Sequence, residues 1–219
     1  MKYLTAIAIM LFCGLQLRAQ NLSNSMDSLS YSVGVLVAQN LKQQGLDKVD
    51  ATKLAEAISD VLAGKELQIS KQDANANVQA YMTKRQNMAG QINLEEGEAF
   101  LAENGKRPEV TTTASGLQYE VLEAGDGKSP KATDQVTVHY EGTLLDGTVF
   151  DSSFERGQPA TFGLNQVIGG WTEGVQLMKE GDTFRFFIPS QLAYGARGAG
   201  NDIGPNATLI FKVQLIAVK

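Results

Sequence analysis

The sequence predicts an all-α N-terminal half followed by an α+β domain, in which an antiparallel sheet of about five strands packs on one short helix. Three observations lead there. Apolar residues recur at helical spacing through the first hundred positions, they alternate from Leu117 onward, and Asn104-Gly-Lys-Arg-Pro108 interrupts the chain between the two regimes. With 219 residues, 43% hydrophobic and 20% charged, the chain can bury a core in two modest domains.

The first element is a leader. Lys2, the apolar run Leu4 to Leu15 and the small-residue end at Ala19 make residues 1–19 a secretory signal, expected to be cleaved after Ala19. The run is too short for a permanent membrane span. Cleavage removes Lys2 and Arg18 and takes the formal charge from −5 to −7, which argues against nucleic acid or an anionic membrane as partner. Cys13, the only cysteine, leaves with the leader; Phe12 stands where lipid attachment would need a small residue, so anchoring through Cys13 is not expected. The mature chain then has no thiol for a disulfide or a metal.

Residues 20–108 read as helical. Leu29, Val33, Leu36, Val37 and Leu41 form one stripe, stopped at Gly45. Asp50 caps a second helix with Leu54, Ala57, Ile58, Val61 and Leu62, ended by Gly64. A third starts at the Ser70/Asp73 capping pair and continues to about 103, with Gly90 and Gly97 each costing roughly 1 kcal/mol against its continuity. About thirty residues span roughly 45 Å, which two short helices cannot cover. Apolar stripes of this size need a second copy, so the segment is expected to be a homodimerisation module with the long helix as stalk. A helical cap folded back on the C-terminal domain is the alternative.

The C-terminal domain, 113–219, opens with Leu117, Tyr119 and Val121 in alternation, then Val136 to Tyr140, then a hairpin at Asp146-Gly147. Ala160 to Phe162 is a short strand. Trp171, Val175 and Met178 share one face of a short helix, and Thr183 to Ile188 and Thr208 to Val218 complete the sheet. In the last strand Leu209, Phe211, Val213 and Leu215 share a face. Rings and branched side chains recur around a single carboxylate, Asp151, without a nucleophile beside a base; that is the composition of an apolar slot, not of a hydrolytic centre. His139, the only histidine, has no partner for a metal, and the Gly-rich 195–204 stretch lacks the Gly-Lys-Ser/Thr of a phosphate loop. Neither a cofactor nor a metal is expected.

The blocks V138-H-Y-E-G-T-L, D146-G-T-V-F-D-S-S, Q166-V-I-G-G-W-T-E-G-V, Y194-G-A and A207-T-L-I-F-K-V-Q-L closely resemble the FKBP family of macrolide-binding peptidyl-prolyl isomerases. The leader, the helical half and N93-L-E-E-G-E-A-F-L-A-E-N resemble its bacterial macrophage-infectivity-potentiator and FkpA/FklB-like branch, in which N-terminal helices interlock two subunits. The resemblance implies an FKBP-like fold and an exported isomerase, periplasmic or associated with the outer membrane. It implies proline-containing unfolded or nascent chains as substrates, and possible macrolide inhibitors. Carried over by position, it puts Tyr140, Phe150, Asp151, Val167, Ile168, Trp171, Tyr194, Ile203 and Phe211 around a proline pocket. Trp171 would be the floor, and Tyr140, Phe150 and Phe211 the walls. The Ile168 N–H and the Tyr194 hydroxyl would hold substrate carbonyls, Asp151 would act at or near the twisting carbonyl, and Arg156 would steady it. Two positions depart: Ala160 replaces a frequent aromatic wall, and Ala199 falls where some members carry a histidine.

Taken without the resemblance, the four rings Tyr140, Phe150, Trp171 and Phe211 fit an ordinary core equally well, Asp151 a turn cap, and Tyr194 a buried corner. A holdase-type chaperone or peptide-binding module with little isomerase activity is the second function class.

Overall fold

The computed structural model describes residues 24–219, which fall into two compact units, one ending at Ile69 and the other spanning Ser70–Lys219. The leader reading of residues 1–19, Cys13 included, lies outside the described residues. Among the described residues no helix is long and apolar enough to cross a membrane.

The first unit holds α1 (Ser25–Gln43) and α2 (Ala51–Leu62). Asn24 opens α1 by accepting the Asp27 N–H at 2.8 Å, and Asp50 opens α2 by accepting from Thr52 at 2.8 Å and Lys53 at 3.2 Å. These caps satisfy donors that a helix start leaves without partners. The apolar stripes form as the spacing predicts, yet neither helix buries a residue. Leu29, Val33 and Leu36 of α1 and Val61 and Leu62 of α2 are between 51% and 83% exposed.

The second unit begins with α3 (Lys71–Asn104), where the Ser70 hydroxyl accepts the Asp73 N–H at 3.1 Å and donates to Asp73 Oδ2 at 2.7 Å. The helix runs 34 residues without a break. Gly90 and Gly97, read from sequence as weak points, are buried in it, because the C-terminal half of α3 lies against the sheet domain. Phe100 packs on Phe187 at 5.8 Å between ring centres, and Asn104 Nδ2 donates to Gln118 Oε1 at 2.9 Å. Tertiary packing outweighs the propensity cost of the two glycines. The long helix thus clusters with the sheet. At the exit of α3 Gly105 has φ −67, so the helix ends without a left-handed residue, and a Cβ there would come within 2.9 Å of Gln118 Nε2.

The sheet is antiparallel, in the order β1 (Val110–Thr112), β2 (Gln118–Glu123), β6 (Thr183–Ile188), β7 (Leu209–Val218), β3 (Gln135–Thr143), β4 (Val149–Ser152), and β5 (Ala160–Gly163) also pairs with β3. It has seven strands against the five or so read from sequence: β4, with four residues, is the second arm of the hairpin read at Asp146-Gly147, and β1, with three residues, was not read. Three residues carry too little alternation for β1 to be seen. Partners define both strands: Thr111 pairs with Tyr119, and Gly142 with Asp151 across the Asp146-Gly147 turn.

On β7, Leu209, Phe211, Val213 and Leu215 are buried while Lys212 and Ile216 are exposed. Against that face lie α4 (Gly169–Gly174) and the 3-10 turn Val175–Leu177; Trp171, Val175 and Met178 are buried as expected, although the helix ends at Gly174 and Met178 follows the turn in extended backbone. Each fully buried large apolar side chain contributes about 1.5–3 kcal/mol, so this layer, with Leu117, Val138, Leu164 and Phe186, is the second unit's main source of stability.

Candidate active site

One end of this core opens to solvent. Alternation on β3 sends Val136, Val138 and Tyr140 inward, and the β3–β7 register places Gly142 opposite Phe211. β4 adds Phe150 and Asp151, the start of α4 adds Val167, Ile168 and Trp171, and the segment after β6 adds Tyr194 and Ile203. All nine residues named from the sequence line one cavity of about 610 Å³. Phe162, Gln166, Ala199 and Gly200 complete its lining. Phe162 was legible only as a strand residue; it lies two positions beyond Ala160 on the same face of β5, and so supplies a ring where Ala160 has none.

Trp171, 4% exposed, is the floor. Three rings meet it edge to face: Tyr140 at 5.3 Å, Phe211 at 5.3 Å and Phe162 at 5.7 Å. Phe150 and Phe211 meet in the same way at 5.5 Å. Such T-shaped pairs are the favoured arrangement of aromatic quadrupoles. Gly142 makes the last pair possible, since a Cβ there would lie 2.6 Å from the Phe150 ring and 2.7 Å from that of Phe211. The Trp171 Nε1–H is buried without a hydrogen-bond acceptor among the described residues.

The polar side of the cavity is a closed triad. The Tyr140 hydroxyl donates to Asp151 Oδ2, Arg156 Nη1 donates to Asp151 Oδ1, and Arg156 Nη2 donates to the Tyr140 oxygen at 2.9 Å. The guanidinium also lies 5.6 Å from the Tyr140 ring centre. Partial burial pushes the Asp151 carboxyl up, but the bonds from Tyr140 and Arg156 and the guanidinium charge outweigh it and hold the carboxyl below its ordinary value. Burial, and then the bond to Asp151, push the Tyr140 phenol up. Both groups therefore keep their ordinary protonation near neutrality: an ionised carboxylate whose two oxygens are already engaged, and a neutral phenol. Nothing in this triad is arranged to move a proton.

Tyr194, 40% exposed, stands at the cavity's edge and not in a corner of the core. The Ile168 N–H has no acceptor among the described residues and precedes the first turn of α4. His139 lies on the other face of β3, stacked on Phe154 at 4.8 Å and bonded through Nδ1 to the Ser153 hydroxyl at 3.0 Å, which fits a structural residue. Among the described residues no cluster of His, Cys, Asp and Glu could hold a metal ion. A further groove, of about 750 Å³, runs along α3 between Ala76 and Gln91 and contains no ring.

Comparison with known proteins shows the family. The model for FKBP-type peptidyl-prolyl cis-trans isomerase matches residues 127–216, and that for the domain amino terminal to it matches residues 26–121. A probable FKBP-type peptidyl-prolyl cis-trans isomerase FkpA of Neisseria meningitidis is 47% identical over 205 residues, covering 89% of this chain and 75% of the relative. The outer membrane protein MIP of Legionella longbeachae is 44% identical over 208 residues, covering 92% and 89%. Among solved structures, that of FkpA from Escherichia coli superposes with a TM-score of 0.71 at 35% identity, covering 90% of this chain and 98% of that one.

Proposed function

The chain belongs to the FKBP-type peptidyl-prolyl cis-trans isomerases, and we propose that it turns Xaa-Pro bonds over in the aromatic cavity above Trp171. The observation that carries this is the convergence of three rings on that one side chain, with Phe150 set against Phe211 beside them, in an opening lined by a single, fully engaged carboxylate.

Rotation about an Xaa-Pro amide meets a barrier of about 18–20 kcal/mol because the twisted state loses resonance, while the cis and trans ends differ by only about 0.5–1 kcal/mol. No bond breaks, so the protein need only hold the twisted amide better than the planar one. The planar amide is the more dipolar and is well solvated by water. A pyrrolidine seated among Tyr140, Phe150, Trp171 and Phe211 carries its amide out of that water, and the planar form loses more. The Ile168 N–H and the Tyr194 hydroxyl are donors suited to the flanking carbonyls, fixing the chain on one side of the bond while the other turns. Asp151, held by Arg156 and Tyr140, orients the Tyr140 ring and presents fixed negative charge beside the turning group; it takes no proton.

The substrates on this reading are proline-containing unfolded or nascent chains of exported proteins, and macrolides that mimic a twisted prolyl amide compete for the cavity. The uncovered stripes of α1 and α2 support homodimerisation through the N-terminal helices. A leader at residues 1–19 and relatives named as an outer membrane protein and FkpA support a periplasmic or outer-membrane-associated place of action.

Trp171→Ala tests the cavity. With a cis-enriched Xaa-Pro peptide it is expected to lower kcat/KM about tenfold or more, equivalent to about 1.4 kcal/mol of lost transition-state binding. Unchanged isomerisation would remove the assignment. Sedimentation of the full chain tests the dimer, and a monomer at micromolar concentration would end it.

A further inference from the structure

The cavity wall made by Ala199, Gly200 and Ile203 belongs to the loop between β6 and β7, outside the sheet ladders. Paired backbone bonds between Ala199 and Ile203, at 2.9 and 3.1 Å, close its tip, and the Asn206 N–H closes its root on the Gly195 carbonyl at 2.8 Å. Immediately after Ile203, the root Gly204-Pro205-Asn206 rests on α3. Two asparagines join them reciprocally: Asn93 Nδ2 of the helix donates to the Pro205 carbonyl at 2.8 Å, and Asn206 Nδ2 of the loop donates to the Gly90 carbonyl at 3.1 Å.

Close approach makes these bonds possible. A Cβ at Gly90 would lie 3.1 Å from Pro205 Cβ, and one at Gly97 would overlap the Thr208 hydroxyl. Gly90, Asn93 and Gly97, at i, i+3 and i+7, share the face of α3 that receives the loop. Asn206 has φ +55, the only positive φ at a non-glycine among the described residues. Side chains generally avoid that backbone region, asparagine least of all. Here a bond from the Asn206 N–H and a bond from its side chain hold it there.

We propose that this clasp sets the pose of the pocket loop, so that Asn93 and Asn206 are positioning residues for isomerisation, and pocket occupancy is coupled to the seating of α3. Neither asparagine lines the cavity. Their effect on substrate travels through three residues of chain, from Pro205 and Asn206 to Ile203. Coupling of this kind is reciprocal: a clasp that favours the substrate-ready loop is itself tightened when substrate holds the loop. The inference rests on the cavity being the isomerase site.

The test uses the full chain and an Xaa-Pro peptide. Asn93→Asp keeps the shape of the side chain and removes its donor; Asn206→Gly suits the positive φ and removes the other donor. Each is expected to raise KM about fivefold, the effect of one hydrogen bond of ordinary strength, with kcat within about twofold of the parent. Exchange of α3 amides around Gly90 to Gly97 is expected to slow when the peptide is bound, and to slow less in both variants. A contact that serves stability alone would lower the melting temperature and leave KM and the peptide-dependent exchange in place. That result, with Trp171→Ala inactive, overturns the coupling and spares the site. If Trp171→Ala remains active, the site assignment fails, and the coupling fails with it.

Discussion

Alanine at Gly97 tests the seating of α3 through two opposing effects. In an isolated helix the change gains about 1 kcal/mol from propensity. Here the added methyl would overlap the Thr208 hydroxyl and lie 3.2 Å from Thr208 Cβ, in a place where both residues are buried. Overpacking of this kind costs about 1–3 kcal/mol. The net expectation is a loss of about 1 kcal/mol from the second unit. Thr208→Ala removes the hydroxyl half of the clash, so the double variant is expected to be more stable than the two singles sum to, by about 1 kcal/mol. Trp171 is the chain's only tryptophan and is buried in this unit, so urea unfolding followed by its fluorescence reads the right transition. A Gly97→Ala chain stabilised by the full helix-propensity gain, with an additive double variant, would show that α3 does not lie on Thr208.

The same indole floors the cavity, so titration with an Xaa-Pro peptide is expected to change its emission intensity or wavelength; a saturable loss of cis peptide substrate without any spectral change would place binding elsewhere. Trp171→Phe loses indole area and also removes a buried donor that has no acceptor, a group costing about 1–3 kcal/mol, so its melting temperature is expected to fall much less than that of Trp171→Ala. Asp151 has its folded value below its ordinary one, so its contribution to stability is complete above the ordinary carboxylate value of about 3.9 and is lost as pH falls through the folded value. The urea midpoints of the parent and Asp151→Asn are therefore expected to differ by a constant amount between about pH 5 and pH 8 and to converge in acid; a difference that changes across the neutral range would contradict the triad's geometry.

Much of this architecture was legible because it is written locally. Asp50 and Ser70 cap the helices they precede, and Trp171 and Val175, four residues apart, are both buried, while Met178 is buried just past the 3-10 turn that ends the helix early. The nine cavity residues came from the family resemblance, position by position, and composition or spacing alone could not have separated them from a core. What stayed hidden depends on partners far along the chain. β1 exists because β2 offers it a ladder, and Phe162 becomes a wall because β5 pairs with β3. Gly90 and Gly97 looked like weak points, since nothing near them in sequence mentions Pro205 or Thr208, more than a hundred positions away.

On the proposed homodimerisation, the bare flanks of α1 and α2 make the folded state of this segment a matter of mass action. Helices that bury nothing within one polypeptide gain their tertiary stabilisation only on meeting a mate, so their helicity should rise with protein concentration and fade on dilution while the sheet unit stays intact. On that proposal, a newly made molecule would carry a folded sheet unit before its other half has settled.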